Sequence, residues 1–427
     1  MKTAIVGGGL GGLSTAILLA ERGVDVTVFE RAGDLGGRAR TTVVDGFAWN
    51  FGPHALYLGG HAERVLASLG GLPHGKRPLT RGFAMFEETL HTLPTGPLSL
   101  LTTGLFTLAE RWEAARILAS LPSMTVEHKE ATLGDWLARH VKHPRVRATL
   151  ALFFRLATYT HPVEELRATD AFEQLRMATG PGVLYVDGGW QTLVDRFVLR
   201  ADALGVQVEK GARVARVDLE CGVPNRLTTD GGRVHAFDTL VLATGPKVAA
   251  RLLPNDAKLA RVAEHAVAVE AACLDVAVTE LTGPSTVLFG VDQPYYASVH
   301  SLAANLVSPP QCGAVIHVAK YLAPGDTATE AELRGVLLRM QPGVVVKHAR
   351  FLPRIPVANV RATAATGGLE GRIVRPSTPN VALVGDWVGP RGMLLDAVLA
   401  SAEAAASTLV DSKTATARRV LHRSAFA

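Results

Sequence analysis

Cysteine is scarce in this chain: Cys221, Cys273 and Cys312 are all there is in 427 residues. Their separations fit neither a disulfide framework nor a metal site, so a reducing cytoplasmic setting and no metal centre are expected. Aromatic residues contribute 6% and charged residues 19%, against 48% hydrophobic, the balance of a globular chain with a large core in two or three domains. Long apolar runs are missing. Two segments, Thr92–Ala109 and Gln293–Ala319, contain no Asp, Glu, Lys or Arg. Pro94, Gly96, Pro97 and Gly104 break the first and Pro294, Pro309 and Pro310 the second, so neither reads as a spanning helix. The first is a candidate for peripheral membrane contact. A signal peptide is not expected, because the apolar stretch at the N-terminus is used by a strand. Excess charge is confined as well. Of the net +5, four positive charges (Lys413, Arg418, Arg419, Arg423) stand in a tail without an acid. The nearly neutral remainder gives no reason to expect nucleic acid, and the tail reads as a solvated, partly disordered terminus.

What the sequence has is glycine in register. Ala4-Ile5-Val6 is a short buried-strand run, and Leu13, Ala16, Ile17 and Ala20 recur at helical spacing. Val24, Val26 and Val28 then alternate up to Glu30. Between the first strand and the helix lies Gly7-Gly8-Gly9-Leu10-Gly11-Gly12, with Gly7, Gly9 and Gly12 in the G-x-G-x-x-G positions. Gly7 permits the tight turn, Gly9 lets backbone approach a pyrophosphate, and Gly12 lets helix and strand pack closely. The helix N-terminus presents free N–H groups to the phosphates. Glu30, with Arg31 beside it, ends the second strand where a carboxylate accepts from a ribose 2′-OH and repels a 2′-phosphate. A glycine cluster alone is weak; with strand, helix, strand and acid in order it is strong.

The next stretch, Gly36-Gly37-Arg38-Ala39-Arg40-Thr41, supplies a second glycine turn and an arginine for the same pyrophosphate. Here the chain resembles FAD-dependent oxidoreductases of the amine oxidase, protoporphyrinogen oxidase and phytoene desaturase superfamily, whose fingerprint is followed by G-G-R-x-x-[ST]. The resemblance implies an α/β fold: a Rossmann-type FAD-binding domain with an inserted α+β substrate domain, part mixed sheet and part helical. The expected division is 1–56, 183–265 and 356–410 for FAD, 57–182 and 266–355 for substrate, and 411–427 as a basic tail.

Further along, Leu98–Met177 is mostly helical in pattern, with Leu105, Leu108, Trp112, Ala115 and Leu118 as one apolar face. The segment from Tyr185 to Val217 looks like the central part of phytoene desaturase-like proteins, in which the backbone at Val214 contacts adenine. Val234–Ala243 reads as a strand ending at Thr244-Gly245, a turn expected to close over the nucleotide. Strands follow at Ala266–Thr279, Ser285–Val291, Tyr295–Leu302 and Ala314–Tyr321, with a helix at Glu330–Gln341. Near the end, a strand runs into Gly385-Asp386, whose carboxylate in the family binds the ribityl or pyrophosphate end of FAD. Gly392 and Met393 open a helix aimed at the flavin pyrimidine, where a helix N-terminus stabilises reduced flavin.

The implied activity is hydride removal from an organic, largely apolar substrate, phytoene desaturase-like, with FAD held non-covalently. Amine oxidase or protoporphyrinogen oxidase-like chemistry is the alternative, and a GDP-dissociation-inhibitor-like binding protein the rival of another class. His54 and Tyr57, beside the flavin in the resembled family, are candidates for the active-site wall. Lys320 is the candidate for the lysine that amine oxidases place near the flavin.

Overall fold

The computed structural model describes every residue except 80, 122–125, 127–131 and 425–427, and of 412–424 the backbone alone. The strand Lys2–Val6 is the centre of a five-stranded sheet in the order 207–210, 25–30, 2–6, 239–242, 381–383. All four pairings are parallel. Ala4-Ile5-Val6, Leu240-Val241-Leu242 and Val381-Ala382-Leu383 are continuous apolar runs because both faces are covered. On one face Ile5 and Val241 pack with Leu13, Leu193, Leu399 and Ala402 of three helices. On the other, Val6, Leu240 and Leu383 meet Val214, Leu227 and Leu252. Strand order reverses across Lys2–Val6, and such a switch point opens a crevice at the carboxyl ends of the strands. The glycine turn begins there.

The second sheet has seven strands in the order 346–358, 269–278, 314–322, 295–299, 287–290, 82–86, 89–92. Its one parallel pair, 287–290 with 82–86, makes it mixed. Val269–Val278 is buried almost throughout, which again means cover on both sides. Leu274, Val276 and Val318 pack on Leu333 and Leu337 of the helix Glu330–Met340. Ala271, Cys273, Ala319 and Tyr321 face Phe154, Phe172 and their helical neighbours. The helical part consists of Pro97–Thr102, Leu108–Ser120, Leu133–His140, Pro144–Thr158 and Ala168–Thr179.

Three expectations change. The face through Leu108 and Trp112 is not buried: these residues are 76% and 80% exposed, and the helix buries Ala114 and Ile117 instead. A capping box fixes the start of this helix, with Thr107 accepting from the Glu110 N–H and Glu110 from the Thr107 N–H. Leucine and alanine stand on more than one side of it, so packing alone selects the stripe. The strand foreseen over Val234–Ala243 is two strands, Val234–Ala236 and Thr239–Leu242, in different sheets. Asp238 separates them, accepting from the Lys2 N–H at 2.7 Å. Finally, the last helix runs from Leu394 to Ser424, through the tail expected to be disordered. Alanine, lysine, arginine and leucine are good helix formers, and they extend a helix already nucleated by packing.

Among the described residues the last buried side chain of that helix is Leu409, and every residue of the cofactor end lies before it. Deleting residues 412–427 should therefore move the thermal midpoint by less than about 2 °C, under about 1 kcal/mol, and leave flavin content unchanged. Calorimetry of the shortened chain tests this, and a colourless or unfolded product contradicts it.

Candidate cofactor and active site

The two glycine turns form one cradle. The Gly36 N–H donates to Gly8 O at 2.8 Å, and Gly9 pairs with Gly36 in an isolated bridge. A Cβ on Gly9 would meet nothing nearer than Gly36 O at 3.8 Å, and one on Gly37 nothing nearer than Gly9 Cα at 3.7 Å. The backbone is thus bare on the side where a diphosphate must approach, the property the group demands. Gly7 and Gly12 serve closure. Gly7 has φ +113°, and a Cβ on Gly12 would lie 1.9 Å from Gly7 O. Gly11 fits under Val384 and Val398, and Leu10 is buried in the core; both hold the helix rather than face the crevice.

Glu30 accepts from the Gly8 N–H at 2.7 Å and the Ala32 N–H at 2.8 Å, one on each oxygen. Each oxygen keeps a second lone pair for a diol. The carboxylate therefore also fixes the glycine turn, a role the sequence did not disclose. Arg31 beside it is exposed. The Ala212 N–H donates to Glu30 O at 2.8 Å, which brings the strand beginning at Val214 alongside.

Asp386 is placed differently from the direct ligand expected. It is 1% exposed, and one oxygen accepts from Asn359 N–H at 3.1 Å and Asn359 Nδ2 at 2.9 Å. The other pairs with Arg38 at 2.7 Å. Arg38 also donates to Val357 O at 2.7 Å, yet its side chain stays 40% exposed. Asp386 thus stands behind Arg38 and aims it, while the outer part of the guanidinium stays open to solvent. Thr244 O accepts from Trp387 Nε1 at 2.9 Å, and a Cβ on Gly245 would press on Asn359. These contacts tie the Thr244-Gly245 turn to the Gly385-Asp386 loop.

Gly392 and Met393 line a cleft of about 700 Å³ with Gly59, Gly60, His61, Glu63, Arg64, Asp170, Glu173, Gln174, Met177 and Leu369. Gly392 has φ +70°, and its carbonyl accepts from Arg372 at 2.8 Å. Burial brings the Arg372 guanidinium down to about 10. The last helix also carries Asp396 in its first turn, 2% exposed and accepting from the Ala62 N–H at 2.8 Å. That acid offsets part of the positive end expected to face a reduced flavin.

His54 lies between two carbonyls, Nδ1 3.1 Å from Gly52 O and Nε2 3.2 Å from Arg38 O, edge-on to Trp190. Burial lowers it to about 4 despite the Gly52 hydrogen bond, so at neutral pH it is uncharged. Tyr57 is 6% exposed and donates to Ala157 O at 2.8 Å. It joins the wall to the helical part, and burial raises its hydroxyl well above the ordinary range.

Lys320 requires a correction. It pairs with Glu332 at 2.8 Å, on the helix covering the far side of the sheet. In the register Ala272↔Lys320 and Cys273↔Ala319, it is Ala319 that shares the inner face with Cys273. Alternation of side chains along the strand forbids Lys320 from reaching that face. Instead the wall meets the sheet at Cys273 and Asp275: a Cβ on Gly52 would lie 2.7 Å from Cys273 Sγ. Asp275 forms a fully buried pair with His317 Nδ1 at 2.6 Å and also pairs with Arg350 at 2.6 Å. Burial alone would raise the Asp275 carboxyl, but His317 and Arg350 reverse this and hold it below the usual range. Sequence reasoning missed this group, along with Asn359. Its members come from three strands, and only sheet register brings them together.

Residues 10–274 match the family described as flavin containing amine oxidoreductase. The chain belongs to that family. Membership implies a flavin cofactor, which the cradle fits, and the oxidoreductase class. Among curated relatives it is 43% identical over 291 residues to carotenoid 3,4-desaturase of Haloarcula japonica, covering 59% of this chain and 57% of that protein. It is 25% identical over 279 residues to the zeta-carotene-forming phytoene desaturase of Myxococcus xanthus, covering 56% and 52%. The matched region thus spans about half the length of these relatives. An oxidoreductase structure from Methanosarcina mazei superposes with TM-score 0.74 at 18% identity, covering 95% of this chain and 99% of that one. Cyclohexylamine oxidase from Brevibacterium oxydans gives 0.72 at 14%, covering 97% and 99%. At such identities these structures speak to the fold alone.

Glu30→Ala should weaken FAD retention by about ten- to a thousandfold, since hydrogen bonds to a charged group contribute roughly 1.5–3 kcal/mol each. It should also lower the midpoint of the flavin-free protein, because two turn N–H groups lose their acceptor. Unchanged affinity in a fluorescence titration would place the nucleotide elsewhere.

For His54 the unfolded chain takes a proton near pH 6.5 and the folded one only near 4. More protons are then bound by the unfolded state in that window, so stability falls as pH drops from 6.5 towards 4. His54→Gln should flatten this part of the stability curve. An identical acid limb in denaturant titrations at several pH values would remove the assignment.

Proposed function

We propose that this chain is an FAD-dependent oxidoreductase that desaturates a largely apolar organic substrate, with hydride lost from one C–H bond to the flavin and a proton from the neighbouring carbon to solvent as the double bond forms. The observation that carries the reading is the inner face of the seven-stranded sheet. Where it meets the Gly52–Tyr57 wall it bears Ala271, Cys273, Ala319, Tyr296 and Tyr321, while Lys320 is held on the opposite side. A mainly aliphatic and aromatic inner face, free of charge at these positions and with its lysine turned away, suits a hydrocarbon better than an amine. Relatives named as carotenoid and phytoene desaturases support the same choice.

The flavin supplies the acceptor for two electrons when bound. The chain supplies placement and exclusion of water. Gly9 and Gly37 present bare backbone to the diphosphate, Glu30 takes the ribose, and Arg38 offers positive charge steadied by Asp386. Neutral His54 and Trp190 close the wall without adding a charge. Attachment is proposed to be non-covalent. Cys221 and Cys312 are exposed, and Cys273, though near the wall, is buried with its thiol pushed well up by that burial. A protonated thiol is a poor nucleophile.

Acid precipitation should release all yellow colour into solution; flavin left on the chain would contradict the non-covalent reading. In anaerobic stopped-flow mixing, an acyclic polyene hydrocarbon should bleach the flavin and a primary amine should not, with Lys320→Met behaving as wild type. Bleaching by the amine, lost in Lys320→Met, would establish amine oxidation instead. A colourless protein that binds no FAD would favour the non-catalytic binder.

A further inference from the structure

We propose that the face formed by Pro97–Trp112 docks on the surface of an anionic lipid bilayer. Leu98 and Leu101 on the first short helix of the helical part are 75% and 64% exposed. Leu108 and Trp112 on the next helix are 76% and 80% exposed. These side chains are not spare core. Leu100, Leu105 and Phe106 of the same stretch are buried, so the segment is seated on the domain while its other side meets water.

From Thr89 to Ala109 every exposed residue is uncharged. The two acids of the helix Leu108–Ser120 are turned to the protein. Glu110 accepts from the Thr107 N–H at 2.8 Å and faces Arg145 at 3.8 Å. Glu113 accepts from the N–H groups of Lys142 and His143, at 2.7 and 2.9 Å, and contacts His143 Nδ1 at 2.6 Å. Arg116, one turn beyond Trp112, and Lys142 are exposed. Apolar side chains, one large amphipathic indole and a basic edge match the layers of a lipid interface, hydrocarbon below and anionic headgroups above. A protein partner has no need of that order.

Trp112 is its own reporter. The other four tryptophans are 4%, 5%, 8% and 1% exposed, so quenching by acrylamide from water, or by brominated acyl chains from a bilayer, selects it. The flavin-loaded full chain is mixed with vesicles of phosphatidylcholine, with or without phosphatidylglycerol. On the anionic vesicles Trp112 emission should shift to the blue, lose acrylamide quenching and gain bromolipid quenching. The double variant L101S/L108S keeps the reporter and should partition about tenfold less, in line with the apolar area removed. R116E/K142E should lose the preference for phosphatidylglycerol. Flavin absorbance and thermal midpoint verify that the variants are folded. The proposal is overturned if Trp112 in the wild type stays open to acrylamide on both kinds of vesicle. It is also overturned if L101S/L108S binds as well as wild type, or if deleting 412–427 alone abolishes binding. Sedimentation without lipid showing a dimer that shields Trp112 would assign the face to a second copy instead. None of these readouts depends on which substrate is oxidised.

Discussion

The helix Leu10–Ala20 lies against the strand Lys2–Val6 at a distance no side chain tolerates. A Cβ on Gly12 would stand 1.9 Å from Gly7 O, and one on Gly7 2.4 Å from Ala243 O. That approach sets the angle at which the helix leaves the sheet and leaves Gly9 bare at the mouth of the crevice. The second turn reaches the same place through the Gly36 N–H on Gly8 O, and Glu30 locks both by taking the Gly8 and Ala32 N–H groups. The rest of the cofactor end is arranged around this contact between backbones.

Charge at the cradle is managed by burial on one side only. Asp386 is 2% exposed in its side chain and Arg38 is 40% exposed. A buried carboxylate needs partners for every lone pair it turns inward, and Asn359 and Arg38 supply them. The outcome is an arginine whose direction is fixed from behind while its outer edge stays in contact with the crevice. A surface arginine without such backing would spread over many rotamers and hold a phosphate less well.

The seven-stranded sheet performs the corresponding separation for the substrate half. Because neighbouring residues point to opposite faces, Ala319 and Lys320 belong to different environments, one facing Cys273 and Phe154, the other facing Glu332. The same alternation, read across three strands, assembles Arg350, Asp275 and His317 into one row next to Gly52, its last two members fully buried and Arg350 half-buried. His317 and Arg350 pair the Asp275 carboxylate from two sides, and Asp275 in turn ties the wall at Gly52 to the sheet. That pairing also explains why the inner face beyond it can remain mainly aliphatic and aromatic.

The sequence by itself determined the first forty residues. The turn, helix, strand and acid there interact over short separations, and each residue type is demanded by local geometry: glycine where φ is positive or a backbone must approach, a carboxylate at a strand end. It also determined that the middle would be helical and that four successive strands would follow, since period is a local property. What only the tertiary structure decided were matters of register and facing. Leu108 and Trp112 satisfy a helical stripe as well as Ala114 and Ile117 do, and packing chose the second. Lys320 and Ala319 are neighbours in a strand, and only pairing with Val269–Val278 tells which looks inward. Asp386 was recognisable as part of the cofactor loop, but its partners Asn359 and Arg38 lie 27 residues before it and far toward the N-terminus. Contacts across such separations depend on how sheets and helices pack, and no local pattern encodes them.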